Sequence, residues 1–287
     1  MKLWQATLCI STPGTSVTDD ELTADTLERH TMAKASGKFV KALYGDALAP
    51  YQKRARTARK DYHRLTFEGI GNIRLVVLDE RQAFLDLMAT HEAALREEGK
   101  IFIAKFDEIL AQERADKNGA FRLEDYPSRG SLAERFSVVY QVLPMPDPSQ
   151  FLKDAMTDGL SERMAAEYAA RLENTTRKVS ETVLQTMMNL VAETAESLAG
   201  DGPIVDSENR KGPFAKLQEY LDRVPALNIT NDPKISAVLA QCKERLSFSA
   251  DRIRANKTTR QLVAAHAQNI ALNFGGIQRK IAFKKAA

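Results

Sequence analysis

The stretch Arg135-Phe-Ser-Val-Val-Tyr-Gln-Val-Leu-Pro-Met-Pro-Asp-Pro148 decides the fold class. Arg135 to Leu143 is rich in β-branched and aromatic residues, which suit a pleated, half-buried strand. The prolines that follow stop it, because proline neither donates a ladder bond nor continues a helix. A lone strand would leave its backbone groups unpaired. The partner on offer is residues 3–10, where Leu3, Gln5, Thr7 and Cys9 alternate with Trp4, Ala6, Leu8 and Ile10. That period of two is the signature of a strand with one buried face. A minor sheet pairing 3–10 with 135–143 is expected.

Between these strands the chain reads mostly as helix. Thr18-Asp19-Asp20-Glu21 offers a cap and early acids for a helix from about Asp19 toward Leu43, weakened at Gly37. Asp46 to Leu65 is helical if Pro50 lies in the first turn. Ile73 to Leu78 is either a short buried strand or the start of the next helix, since so short an apolar run cannot be assigned by period. From about Asp79 to Ala115, apolar residues recur at spacings of three and four despite Gly99, a stripe that must pack on a partner helix. An antiparallel hairpin or a coiled-coil arm would satisfy it.

Beyond Pro148 the pattern is helical: about Ser161 to Leu198, Pro213 to Val224, Asp232-Pro233 to Leu246, and Ala250 to Phe274, closed by Gly275-Gly276. The expected class is α+β, mainly α-helical, with an α+β part in 1–150 and a helical part in 151–287. A linker falls near 200–213, and the two parts are read as one continuous body.

Composition narrows the class. The 287 residues are 44% hydrophobic and 28% charged, ordinary globular values. Cys9 and Cys242 lie far apart, which argues against a disulfide framework and against paired zinc ligands, and fits a reducing compartment. Met1 to Ile10 lacks the form of a signal peptide, and no window nears the roughly 18 apolar residues of a membrane span. A cytoplasmic chain with no membrane contact is expected.

Catalytic motifs are missing. His91-Glu-Ala-Ala-Leu95 begins like a zinc-protease helix but carries leucine where the second imidazole belongs. His30, His63, His91 and His266 sit on separate elements. Gly69-Ile-Gly71 lacks the third glycine of a dinucleotide fingerprint, and there is no phosphate loop. Cys9 reads as a buried strand residue and Cys242 as a helix-face residue. The carboxylates of Asp19-Asp20-Glu21, Glu97-Glu98 and Glu124-Asp125 read as caps and solvated groups. The expectation is a protein without cofactor, metal or catalytic residues, and therefore not an enzyme.

The net charge is only +3, but the charge is segregated. Lys53, Arg54, Arg56, Arg59, Lys60 and Arg64 are opposed only by Asp61. Lys53, Arg56, Arg59 and Lys60 fall at helical spacings and share a face that could lie along phosphates, gaining affinity by counterion release. Tyr51 and Tyr62 flank the row and could stack on exposed bases. Arg252, Arg254, Lys257 and Arg260 form a second row, followed by a basic tail of Arg279, Lys280, Lys284 and Lys285 around Phe283. The alternative is a solvated face whose acids come from a neighbouring helix, in particular from Glu92 to Glu113.

The run Tyr126-Pro-Ser128, Arg135-Phe136, Pro144-Met-Pro-Asp147 and Phe151 resembles an uncharacterised family of bacteriophage and mobile-element proteins. In that family a Tyr-Pro-Ser turn precedes a strand opening with Arg-Phe and closing on a Pro-x-Pro exit. The resemblance covers roughly the first half of the chain. It implies an accessory role in DNA metabolism or in remodelling by an ATPase, since such proteins are encoded near a MoxR-type AAA ATPase and a von Willebrand factor A domain protein. It implies no active-site residue. Two functions follow as expectations: binding of single- or double-stranded nucleic acid through the basic helix faces, or a structural adaptor whose long helices self-assemble into a homo-oligomer or dock on such an ATPase partner.

Overall fold

The structure is a computed structural model that describes residues 2–29, 38–70, 73–145, 159–200 and 212–274. It is 71% helical, with ten α-helices among the described residues and a small antiparallel sheet. The strands are β1 (Leu3–Ile10), β2 (Ser16–Asp19), β3 (Phe39–Ala42), β4 (Phe67–Glu68), β5 (Arg74–Val77) and β6 (Val138–Pro144). In the first half the helices are α1 (Asp20–Arg29), α2 (Ala49–Leu65), α3 (Arg81–Ala104), α4 (Phe106–Lys117) and α5 (Arg129–Glu134). In the second half they are α6 (Gly159–Ala199), α7 (Pro213–Leu227), α8 (Pro233–Arg245), α9 (Ala250–Ala255) and α10 (Lys257–Phe274).

The expected sheet forms, and it is larger than expected. β1 pairs antiparallel with β6 from Trp4 opposite Pro144 to Ile10 opposite Val138. The ambiguous run 73–78 supplies β5, which takes the other edge of β1 and turns back from β4, giving the order β4-β5-β1-β6. Arg135 and Phe136 precede the strand rather than opening it. The Phe136 ring lies edge-on to Tyr51 and to Phe102. A Cβ at Gly99 would come within 3.2 Å of that ring, so the glycine that weakens α3 as a helix former is what admits Phe136 to the core.

One face of the sheet carries Ala6 and Val76 against Tyr62 and Leu65 of α2 and Phe84 and Met88 of α3. Ala55 and Ala58 keep the buried stripe of α2 low. The polar links Asp61 to His91 and Arg54 to Glu98 fix α2 and α3 as antiparallel neighbours, since the pairs run in opposite directions along the two helices. The partner of the 79–115 stripe is therefore α2, reached through β4 and β5, rather than a second helix of the same stretch folded back on it. The stripe of 79–115 is also interrupted: a 3₁₀ turn spans Leu78–Glu80, and the chain bends at Lys105.

The opposite face of the sheet, Leu3, Leu75 and Val77, joins Met145 in a core built mainly from α6, α7, α8 and α10. Thr7, Cys9, Val139 and Leu143 on that face stay exposed. Cys9 is thus not buried. Cys242 is buried on α8, and burial pushes its thiol up to about 12. Four hydroxyls on α6, those of Thr175, Thr176, Thr182 and Thr194, donate to carbonyls one turn back, which satisfies them without a tertiary partner.

Three further expectations change. The helix from Asp19 ends by Arg29 within the described residues, and 39–42 form β3 against β2, where the β-branched Val40 suits a ladder. The last helix is two, because Asn256 is extended and its side chain accepts from the Thr259 amide, capping α10 afresh. Asp19 and Asp125 are not solvated caps alone. Both hold the buried Lys41 ammonium, at 2.9 and 2.6 Å, while Asp19 also accepts from the Leu22 amide to start α1. His30, the linker residues 201–211, Gly275-Gly276, the basic tail and Phe151 lie outside the described residues.

Beside Lys41 sits a second buried network. Tyr126 of the Tyr-Pro-Ser turn donates to Glu113 at 2.7 Å, and Lys117 donates to Glu113, to Tyr126 and to the Ala42 carbonyl. Ser128 accepts from the Ser131 amide and caps α5. The motif is structural. Leu22's amide and then Lys41 hold the Asp19 carboxyl below its usual range. Burial alone would raise Glu113, but the bonds from Lys117 and Tyr126 outweigh it and its carboxyl is also lowered.

A third buried contact joins the two halves of the chain. Arg223 of α7 grips the Glu80 carboxylate with two donors, Nε to Oε1 at 2.6 Å and a terminal nitrogen to Oε2. Both side chains are mostly buried.

Two outcomes follow for stability. Replacing either partner, as in Glu80→Gln or Arg223→Met, strands the other and costs about 2–4 kcal/mol in urea unfolding, while the double replacement Glu80→Met with Arg223→Met recovers part of the loss. The lowered carboxyls of Asp19 and Glu113 give stability that is present above about pH 4, the unfolded range, and lost as pH falls through the depressed folded values. Urea midpoints between pH 7 and 2.5 should therefore drop on the acid side, and Glu113→Gln should flatten that drop.

Candidate nucleic-acid interface

The basic row of α2 exists as a face because the opposite stripe, Tyr51, Ala55, Ala58, Tyr62 and Leu65, is buried. Its six cations do not behave alike. Arg54 pairs with Glu98 of α3 at 3.4 Å, one of the acids expected to neutralise the row. Arg59 donates to the Ile10 carbonyl at 3.1 Å, satisfying the end of β1. Arg64 lies between Asp61 at 3.2 Å and Glu219 of α7 at 3.4 Å. Lys53, Arg56 and Lys60 are exposed, and among the described residues none has an ion-pair or hydrogen-bond partner for its charged group. They stand three, four and seven residues apart, so they form one line about 10 Å long on the outermost ridge of the helix.

The flanking tyrosines do not belong to this surface. Tyr51 is 2% exposed and donates to the Ser11 carbonyl; Tyr62 is 9% exposed and donates to the Ala6 carbonyl. Their rings anchor α2 to the amino-terminal strand and cannot stack on a base. Burial raises both hydroxyls above the ordinary tyrosine value.

The second row divides. Arg252 and Arg254 lie on the six-residue α9, with Arg254 on Asp251 at 3.0 Å and Arg252 over the Phe248 ring at 6.0 Å. Lys257 and Arg260 open α10, and Arg260 donates to the Leu198 carbonyl at 3.2 Å, capping the end of α6. The break at Asn256 puts the four on two helices, and at least one of them serves the core.

The row on α2 leads instead to a cleft of about 1030 Å³ between the two halves. One wall is the end of α2 with β4 and β5, including His63, Arg64 and Phe67; the other is α6 and α7, including Lys178 and Lys216. Arg74 also lines it and donates to the Thr66 and His63 carbonyls, closing the last turn of α2. Tyr220 lines the cleft while its hydroxyl donates to the Val183 carbonyl, and burial pushes that hydroxyl up to about 12. Sequence spacing offered no route to Lys178 and Lys216, which sit on different helices. The described residues contain no group of three or more histidines, cysteines and carboxylates placed to hold a metal ion. No described helix is long and apolar enough to cross a membrane.

Tyr51→Phe and Tyr62→Phe should each lower stability by about 1 kcal/mol, the net value of a hydrogen bond, when followed by thermal unfolding. No protein-family model, no curated protein and no solved structure matches the chain.

Proposed function

We propose that this chain binds nucleic acid through the outer face of α2, as a non-enzymatic accessory protein of the DNA metabolism of a bacteriophage or mobile element. The observation that carries the reading is the line Lys53, Arg56 and Lys60, unopposed among the described residues and held on a helix whose other side is locked into the core. The fixed helix backbone keeps the three cations in line, and each phosphate they neutralise releases counterions. Arg54 and Arg59 are engaged by Glu98 and the Ile10 carbonyl and contribute less, while Arg64 ends the row in exposed pairs with Asp61 and Glu219. In the second row, Arg252, Arg254 and Lys257 add exposed charge on another surface. The proposed chemistry is sequence-independent attraction, with no catalytic step.

A second reading has its own support in the open part of the sheet, where Val139 and Leu143 are each about half exposed on the edge strand β6. Such a face suits an adaptor that assembles with copies of itself or docks on a MoxR-type AAA ATPase or a von Willebrand factor A domain protein.

Replacing Lys53, Arg56 and Lys60 together with glutamine should flatten the slope of log K against log salt by about two to three units, measured by fluorescence anisotropy on a labelled oligonucleotide. Arg59→Gln should move stability instead. A folded wild-type protein that binds neither DNA nor RNA at low salt would leave the adaptor as the better account.

A further inference from the structure

The α2 face is convex and could meet either a duplex or a single strand. The cleft at its carboxy-terminal end is different. It is concave, its volume lies at the upper end of small-molecule pockets, and its lining is mixed. Lys178 on α6 and Lys216 on α7 are exposed and, among the described residues, have no partner for their ammonium groups. Phe67 and Tyr220 pack in part against the core, and the remainder of each side chain lines the cleft with these lysines. An aromatic surface flanked by cations is of no use to a duplex, whose base faces are covered by their neighbours in the stack. It is of use to unpaired bases, whose faces are free and whose phosphates lie one bond system away.

Arg64 ties the two surfaces together. It ends the α2 row, it lines the cleft, and it reaches across to Glu219 on the opposite wall. That ion pair is exposed on both sides, 44% and 42%, so it is weak and readily exchanged. A phosphate arriving at the mouth of the cleft competes with the Glu219 carboxylate for the same guanidinium, and its charge is repelled by that carboxylate until the exchange is made.

We infer that the cleft takes unpaired nucleotides of a single-stranded nucleic acid, with Lys178 and Lys216 on phosphates, Phe67 and Tyr220 against bases, and Arg64 transferred from Glu219 to the strand. This rests on the reading of α2 as a phosphate-binding face and adds a strand preference to it. Glu219 acts as a resident anion that the ligand displaces.

The test is anisotropy at one fixed low salt with a labelled oligothymidine and with a labelled duplex of equal length, using the full chain and its variants. The wild type should hold the single strand more tightly than the duplex. Lys178→Gln with Lys216→Gln should weaken the single strand about five- to tenfold and leave the duplex within about twofold, since two phosphate contacts are removed from the strand alone. Glu219→Gln should tighten the single strand severalfold. All three residues are exposed, and a melting curve checks that each variant is folded. If the cleft variants change neither ligand while the glutamine triple on α2 weakens both, the cleft inference falls and the α2 reading stands. If the cleft variants weaken both ligands equally, the strand preference falls. If Glu219→Gln leaves affinity unchanged or weaker, the displacement falls. If the wild type binds neither ligand, both proposals fall.

Discussion

The two-pronged grip of Arg223 on Glu80 is the contact on which the site depends. Glu80 closes the 3₁₀ turn between β5 and α3, and Arg223 lies on α7, one wall of the cleft. A carboxylate and a guanidinium can be buried together only if each satisfies the other's charge, and the planar fork permits one relative orientation. The pair therefore sets where α7 stands against the sheet, and with it the width of the space between α2 and α6. Leu3, Leu75 and Val77 supply the apolar contact around it, but apolar packing is tolerant of sliding and an ion fork is not.

The same logic recurs in the amino-terminal half. Lys41 between Asp19 and Asp125, and Glu113 between Lys117 and Tyr126, are buried polar groups, the second of them beside the rings of Tyr44, Phe121 and Tyr126. Each network joins segments distant in sequence: Lys41 of β3 to the 3₁₀ turn before Tyr126, and Lys117 of α4 to the end of β3 at Ala42. Buried charge is expensive, so these contacts add directional specificity more than net stability.

What the sequence made legible follows from range. The strands at 3–10 and 138–144, Pro50 in a first turn and the Asp232 cap are local signals, and each appears in the structure; the pairing of the two strands followed from there being no other clear partner for either. The face of α2 was also legible, because helical period alone puts Lys53, Arg56 and Lys60 in line. Which cations of that row are already engaged was not, since Glu98, Glu219 and the Ile10 carbonyl come from other elements. Tyr51 and Tyr62 were misread for the same reason: aromatic residues beside a basic run look like stacking platforms until the strand that accepts their hydroxyl protons is in place. The break at Asn256 was hidden because alanine, arginine and lysine on either side all favour helix, and only a side-chain cap marks the restart.

The central position of β1 has a bearing on how the chain reaches this state. Its two neighbours come from very different places: β5 lies about 65 residues on, and β6 roughly 130. During synthesis, β1 can pair with β5 and be covered by α2 and α3 long before β6 exists. For that interval the edge from Trp4 to Ile10 has unpaired amides and carbonyls beside Leu8 and Cys9, a template for any extended chain. The slow event is then the late closure of that edge. Its loss, by truncation ahead of Val138 or by a strand-breaking residue at Tyr140, would produce an aggregating chain rather than a merely less stable one.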